Sequence, residues 1–208
     1  VNLIPTLQNP FLPKEITIGW DTIQKYKANK LPFIDAHFLD QTISEKRKNE
    51  HYSGRKLFGN LVDYLDLPAS SIELLKTDLG KPYAKNGDKM IYTSFSHSQD
   101  WVLSGISLKF DIGLDCERLD RKISENVIDR IRSETEKAMM QDVSDLEMWT
   151  MKEAFVKCIG TGIRMNLKNY PITKQENKYV VRWQNVRIYI VPFIWQNHQL
   201  AVAWKKLR

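Results

Sequence analysis

Four ionisable residues of this 208-residue chain have types and spacing suited to work on phosphate. The segment "DIGLDCE", residues 111–117, alternates as a β-strand does. Ile112, Leu114 and Cys116 point one way; Asp111, Gly113, Asp115 and Glu117 point the other. Like charges side by side on one face repel unless a cation sits between them. With a third carboxylate they make a hard oxygen set suited to Mg²⁺, completed by water and phosphate. Glu153, in "WTMKEAFVK" (149–157), is the third carboxylate. There Met151, Ala154, Phe155 and Cys158 recur at i, i+3, i+4 and i+7, the core face of a helix. Glu153 and Lys157 fall on the opposite side, one turn apart, with Trp149 a turn earlier. Gly160 and Gly162 supply a left-handed stop. In isolation, Glu153 and Lys157 are an exposed i, i+4 ion pair worth about 0.3–0.5 kcal/mol. Beside Asp115 and Glu117 they become candidate parts of one site.

The elements that must position these residues follow from pattern. "EITIGWD" (15–21) alternates as an early strand. Residues 35–67 are helical in pattern, as two helices meeting near Ser53-Gly54. "TDLGKPYAKNGDK" (77–89) is a loop marked by glycine and proline. "MIYTSF", "WVLSGIS" and "DIGLDCE" read as three successive strands of one sheet. Two capping boxes, Ser133 with Glu136 and Ser144 with Glu147, start two helices, the second being the one that carries Glu153. "KYVVRW", "VRIYIV" and "LAVAW" return to strand. The order strand, helices, strands, helices, strands predicts an α+β protein.

Composition narrows the class. Apolar residues make up 42% of the chain, enough for a real core, and the formal charge of +6 suggests an anionic partner. Cys116 and Cys158 have no metal-ligand or redox spacing and are expected to be reduced, buried thiols. No stretch has the length of a signal peptide core or a bilayer span, so a cytoplasmic protein with no membrane partner is expected.

"GLDCE" followed about three dozen residues later by "WTMKEAFVK" resembles the paired signature of the 4′-phosphopantetheinyl transferase superfamily, Gly-x-Asp-x-Glu and then Trp-x-x-Lys-Glu-Ala-x-x-Lys. Trp149, Lys152, Glu153, Ala154 and Lys157 match every fixed position of the second motif. "SFSHSQDWV" and "LGKPY" are similar to the Ser-His-Ser and Gly-Lys-Pro stretches of the surfactin-synthetase-activating (Sfp) type. "SEKRK" and "GRKLFG" resemble its basic segments, although Asn49 stands where a basic residue is expected.

The resemblance implies two pseudo-symmetric α/β halves with the active site between them. Residues 1–108 would contact the coenzyme A nucleotide, and 109–208 would bind metal and face the carrier. It implies transfer of the 4′-phosphopantetheine arm of coenzyme A to a serine of an apo acyl or peptidyl carrier protein, the reaction of a holo-[acyl-carrier-protein] synthase, with 3′,5′-ADP leaving. Asp115, Glu117 and Glu153 would hold Mg²⁺ or Mn²⁺. Glu153, directly or through a metal-bound water, would be the base. Lys157 would meet the pyrophosphate. His97, with Ser96 beside it, would bind phosphate, Lys81 the nucleotide phosphates, and Lys46 and Arg55 the 3′-phosphate. The protein would be a monomer. Its carrier, usually acidic, would dock near 118–148, where Met139 and Met140 offer an adaptable surface. Two other classes stay in view. One is a metal-dependent nucleic-acid-binding or nucleic-acid-processing protein; against it, no basic-aromatic stripe or nucleic-acid motif is present, so no nucleic acid is expected. The other is a non-catalytic binder of coenzyme A or carrier, which would lack part of the Asp-Glu-Glu-Lys set.

Overall fold

Alternating strands in each half of the chain build two antiparallel sheets, and each sheet is covered by one long helix. The computed structural model describes residues 1–5, 9–27, 32–33, 43–162 and 165–206. The first sheet contains β1 (Asn2–Leu3), β2 (Ile16–Thr22), β3 (Ile72–Lys76), β4 (Pro82–Asn86), β5 (Lys89–Ser98) and β6 (Trp101–Ser107), in the order β1-β2-β6-β5-β4-β3. The second contains β7 (Phe110–Arg118), β8 (Thr173–Gln175), β9 (Lys178–Trp183), β10 (Val186–Trp195) and β11 (His198–Lys206), in the order β7-β11-β10-β9-β8. Helix α1 (Glu45–Tyr64) packs on the first sheet. Two short helices, α2 (Glu125–Ile131) and α3 (Glu134–Met139), precede α4 (Asp145–Ile159), which packs on the second.

Strand alternation sorts the core into layers. Phe58, Leu61 and Val62 of α1 meet Ile91 and Ile106 on one face of the first sheet. Its other face, with Ile18 and Leu103, meets Ile112, Leu114, Cys116, Leu200 and Val202 of the second sheet. Beyond lies α4, whose Met151, Ala154, Phe155 and Cys158 are fully buried against Ile188, Ile190, Ala201 and Ala203. The molecule is therefore α+β, layered helix, sheet, sheet, helix. Among the described residues, no helix is long and apolar enough to cross a membrane.

Four local expectations change. The helical stretch that begins at Asp35 falls partly on 35–42, outside the described residues. From Glu45 it is one helix that continues through Ser53-Gly54. A Cβ at Gly54 would meet Phe95 and Val102 at ordinary contact distances, so this glycine marks where the helix crosses the sheet, not a break. The segment 77–89 is not all loop: Pro82–Asn86 forms β4, paired with β3 and β5 around the buried Ala84. The three strands after it do not share a sheet, because β7 leaves β6 and pairs with β11 instead. The box at Ser133 and Glu136 closes in both directions. That at Ser144 closes only by the Glu147 amide, because the Glu147 side chain bonds Tyr179.

Two contacts fix α4 on its sheet. At Gly113 the helix lies so close to β7 that a Cβ would land on the Ala154 carbonyl oxygen and the Cys158 amide nitrogen. Further along, Lys152 is 0% exposed. Its ammonium lies 2.7 Å from Glu136 Oε1 and donates to the carbonyls of Leu167 and Tyr170 at 3.2 and 2.9 Å. Glu136 also accepts from the Ser133 and Ile172 amides. A buried charge pair keeps its geometry only when such extra bonds satisfy both partners. Because backbone cannot yield at Gly113, Gly113→Ala is expected to cost about 3 kcal/mol of stability, read from a denaturant melt. A loss below about 0.5 kcal/mol would show that the helix can slide away from β7.

Candidate active site

The site lies where the free edges of two strands run side by side. β4 pairs only with Lys89–Tyr92, which leaves the Thr93–Ser98 half of β5 without β4 beside it. β7 is the outer strand of the second sheet, so its outward amides need partners from elsewhere. Three serines at alternate positions of β5 supply them. The Leu114, Cys116 and Arg118 amides donate to the hydroxyls of Ser94, Ser96 and Ser98 at 2.9, 3.3 and 3.1 Å. The same hydroxyls orient the acids: Ser96 donates to Asp115 Oδ1 at 2.9 Å, and Ser98 to Glu117 Oε2 at 3.2 Å.

Helix α4 completes the seam. Lys157 Nζ stands 2.7 Å from Asp115 Oδ1 and donates to Ser96 Oγ at 2.9 Å. The partner of Lys157 is therefore Asp115, not Glu153 one turn away. Trp149 Nε1 donates to Glu117 Oε1 at 3.3 Å, and Arg121 pairs with the same oxygen. Asp115 Oδ2 and Glu153 Oε1 are buried with no hydrogen-bond partner. Such oxygens are costly to bury unless a proton or a cation meets them. The donor chemistry thus fits a hard divalent cation, although among the described residues no three acids already stand at coordinating geometry.

Burial and charge set the protonation states. Burial, then the Asp115 charge, pushes Glu153 up to about 7, with Lys157 pulling the other way. Asp115 is also raised by burial, against the pull of Lys157. Burial alone would lower Lys157, but the charge and hydrogen bond of Asp115 leave it above the usual lysine value. Burial raises both Cys116 and Cys158, which are unpaired, buried thiols.

A cavity of about 730 Å³ opens from this seam between α1, β5 and α4, within the range that holds a small ligand. Helix α1 lines it with Arg47, Glu50, His51, Gly54 and Arg55, one stripe at i, i+3, i+4, i+7 and i+8. Lys46 lies off that stripe; its side chain is 76% exposed and 3.8 Å from Glu50. Arg47 and Lys76 take the lining positions instead. Arg55 is buried over the Phe95 ring. His97 also lines the cavity, 3.5 Å from Glu50; packing against the wall lowers its pKa more than Glu50 raises it. Lys81 reaches the cavity wall, yet its ammonium is committed to Asp111 and to the Cys158 carbonyl at the end of α4. Asn49 anchors the chain, accepting from the Tyr26 amide at 2.7 Å.

The structure thus brings together Ser96, His97, Glu153 and Lys157 around the cavity, with Asp115 and Glu117 behind them. Ser94, Ser98, Arg121, Arg47 and Lys76 were not singled out from sequence. The alternate serines of "SFSHS" were the available signal for the first two.

Residues 111–203 match the model of the 4'-phosphopantetheinyl transferase superfamily. The chain is 30% identical over 174 residues to the 4'-phosphopantetheinyl transferase gsp of Aneurinibacillus migulanus, covering 73% of this chain and 72% of the relative. It is 29% identical over 150 residues to the L-aminoadipate-semialdehyde dehydrogenase-phosphopantetheinyl transferase of Xenopus laevis, covering 61% and 50% of the two chains. It is 28% identical over 118 residues to the 4'-phosphopantetheinyl transferase psf-1 of Bacillus pumilus, covering 53% and 49%. It spans about half the length of these last two relatives. With an antiparallel two-sheet fold and an acid-lysine seam of this kind, the chain belongs to the 4′-phosphopantetheinyl transferase superfamily. Within that superfamily it is of the surfactin-synthetase-activating type.

The raised Glu153 pKa has a measurable sign. Between the ordinary glutamate value of 4.5 and about 7, the folded chain holds a proton there that the unfolded chain has lost. Stability therefore falls as pH rises through that window. With divalent ions chelated, Glu153→Gln is expected to remove a fall on the order of 2–3 kcal/mol. The variant should match the parent near pH 4 and exceed it above pH 7 in urea midpoints. A parent-like slope in the variant would assign the titration to another group.

Proposed function

We propose that this chain transfers the 4′-phosphopantetheine arm of coenzyme A to a serine hydroxyl of an apo acyl or peptidyl carrier protein, releasing 3′,5′-ADP. The observation that carries this reading is the meeting of Glu153 and Lys157 with the two acids of β7 at one end of a cavity lined by basic side chains. The N-terminal half, residues 1–108, supplies most of the nucleotide-side wall. Residues 109–208 supply the acids, the lysine and the carrier-facing surface.

Arg47, Arg55 and Lys76 bring positive charge to the cavity for phosphates, and His97 adds a ring nitrogen that can hydrogen-bond them. Asp115 and Glu153, with Glu117 beside them, are the residues that would hold Mg²⁺ or Mn²⁺; when bound, the ion supplies charge neutralisation at the pyrophosphate. Glu153, which the fold directs into the seam beside Asp115, accepts the proton of the carrier serine as its oxygen attacks phosphorus. Lys157 places a positive charge where the leaving phosphate gathers negative charge. Burial of these groups away from water strengthens each of these interactions.

The carrier is assigned to the face around 118–148. Leu119 and Met139 are exposed apolar residues there; Met139 is 78% exposed, while Met140 is buried in the core. The net charge of +6 favours an acidic carrier.

Incubated with coenzyme A and Mg²⁺, the protein should add the mass of phosphopantetheine to an apo carrier. A panel of acyl and peptidyl carriers with no mass gain would remove the proposal. Asp115→Ala should slow transfer at least about 100-fold, close to 2.7 kcal/mol of barrier. Lys157→Ala should lower kcat/KM for coenzyme A more than about tenfold. Near-parent kinetics for both variants would leave the seam with a structural role only.

A further inference from the structure

The carboxylates of the seam are not equally free. Asp115 faces the Lys157 ammonium at 2.7 Å. Glu117 faces the Arg121 guanidinium, which also lies 5.5 Å from the centre of the Trp149 ring. No basic side chain lies within ion-pair distance of Glu153 among the described residues. Its Oε1, like Asp115 Oδ2, has no hydrogen-bond partner, and both residues are at least nine-tenths buried. Two cations of the chain thus stand on two of the three acids, beside two unpartnered oxygens.

A divalent ion entering this cluster meets those two positive charges at short range. At such distances, in surroundings less polar than water, each repels it strongly unless it moves. Neither residue is trapped. The Arg121 side chain is 44% exposed and the Lys157 side chain 30% exposed. Lys157 also borders the cavity, where an anion could receive its ammonium.

We propose that Lys157 and Arg121 are exchangeable counter-ions, which neutralise Asp115 and Glu117 until a divalent cation displaces them. The exchange rests on the reading of the seam given under Proposed function. It turns metal binding and phosphate binding into linked events. The ion releases Lys157 from Asp115, and the released ammonium then meets the anion in the cavity. By linkage, an anion that holds Lys157 strengthens metal binding to the same degree. Arg121 has the corresponding part on the carrier side, where its release from Glu117 also uncovers the Trp149 ring.

The test reads Mn²⁺ binding alone, by the loss of the free-ion electron paramagnetic resonance signal, with no coenzyme A or carrier present. Arg121→Gln removes one competing cation from a half-exposed position and should tighten Mn²⁺ binding at least about tenfold. Lys157→Gln should do the same although its turnover falls. Asp115→Asn should abolish the tight site in either background, which ties the signal to this cluster. Unchanged or weaker binding in both Arg121→Gln and Lys157→Gln overturns the exchange, as does a parent and variants that bind no Mn²⁺. A chain that tightens as expected but charges no carrier keeps the exchange and loses the transfer reading, so the two failures are distinct.

Discussion

Three buried carboxylates in one seam are the constraint around which the rest is arranged. Charges of one sign, out of water and close together, raise each other's energy until they take up protons or counter-ions. The chain uses both remedies. Lys157 stands on Asp115, Arg121 stands on Glu117, and Glu153 keeps a proton to near-neutral pH. On the proposed exchange each remedy is reversible, which would separate a working site from a permanent structural ion pair. The Lys152–Glu136 pair nearby shows the contrast. Its ammonium is met by a carboxylate and two carbonyls, it is sealed from solvent, and it holds one geometry.

Such a seam can be held only by rigid backbone on both sides. On one side the alternate serines of β5 occupy the free amides of β7, so an edge that would otherwise be open is closed by side chains. Two of those hydroxyls continue to a carboxylate, which makes the joint between the sheets and the alignment of the acids one network. On the other side, Gly113 lets α4 approach β7 at backbone distance, and Lys152 fixes the helix in rotation. Glu153 and Lys157 then project into the seam because the rest of their helix has no freedom to turn. The left-handed Gly160 ends α4 where Lys81 caps the Cys158 carbonyl, tying the loop before β4 to the same helix.

What was legible in the sequence was local and periodic. The alternation of 111–117 placed three apolar residues in the core between the sheets and put Asp115 and Glu117 on the other face, as found. The stripe of Met151, Ala154, Phe155 and Cys158 identified the buried face of α4 because its period is a property of the helix itself. The motif resemblance, not periodicity, joined the two segments into one candidate site. Lys46, expected at the 3′-phosphate from the resemblance, lies beside the cavity-facing stripe of α1 that carries Arg47, and composition cannot say which face of a helix meets a cavity.

Tertiary structure decided the partners. A lysine one turn from a glutamate pairs by default with that neighbour, yet Lys157 reaches Asp115 from another element, because burial makes the closer-set charge the stronger demand. Lys152 read as a motif letter and became a core residue once α3 and the 167–172 segment closed over it. Lys81, expected at the nucleotide phosphates, lines the cavity with its ammonium on Asp111 and on the Cys158 carbonyl at the end of α4. β7 read as the third strand of one sheet and became the edge of another, which is why Ser94 and Ser98 matter at all. The sequence by itself determined which faces were apolar and which residue types could do phosphate chemistry. Which charge faces which was settled only by packing two sheets and two helices together, because ion pairing depends on distance through space and not along the chain.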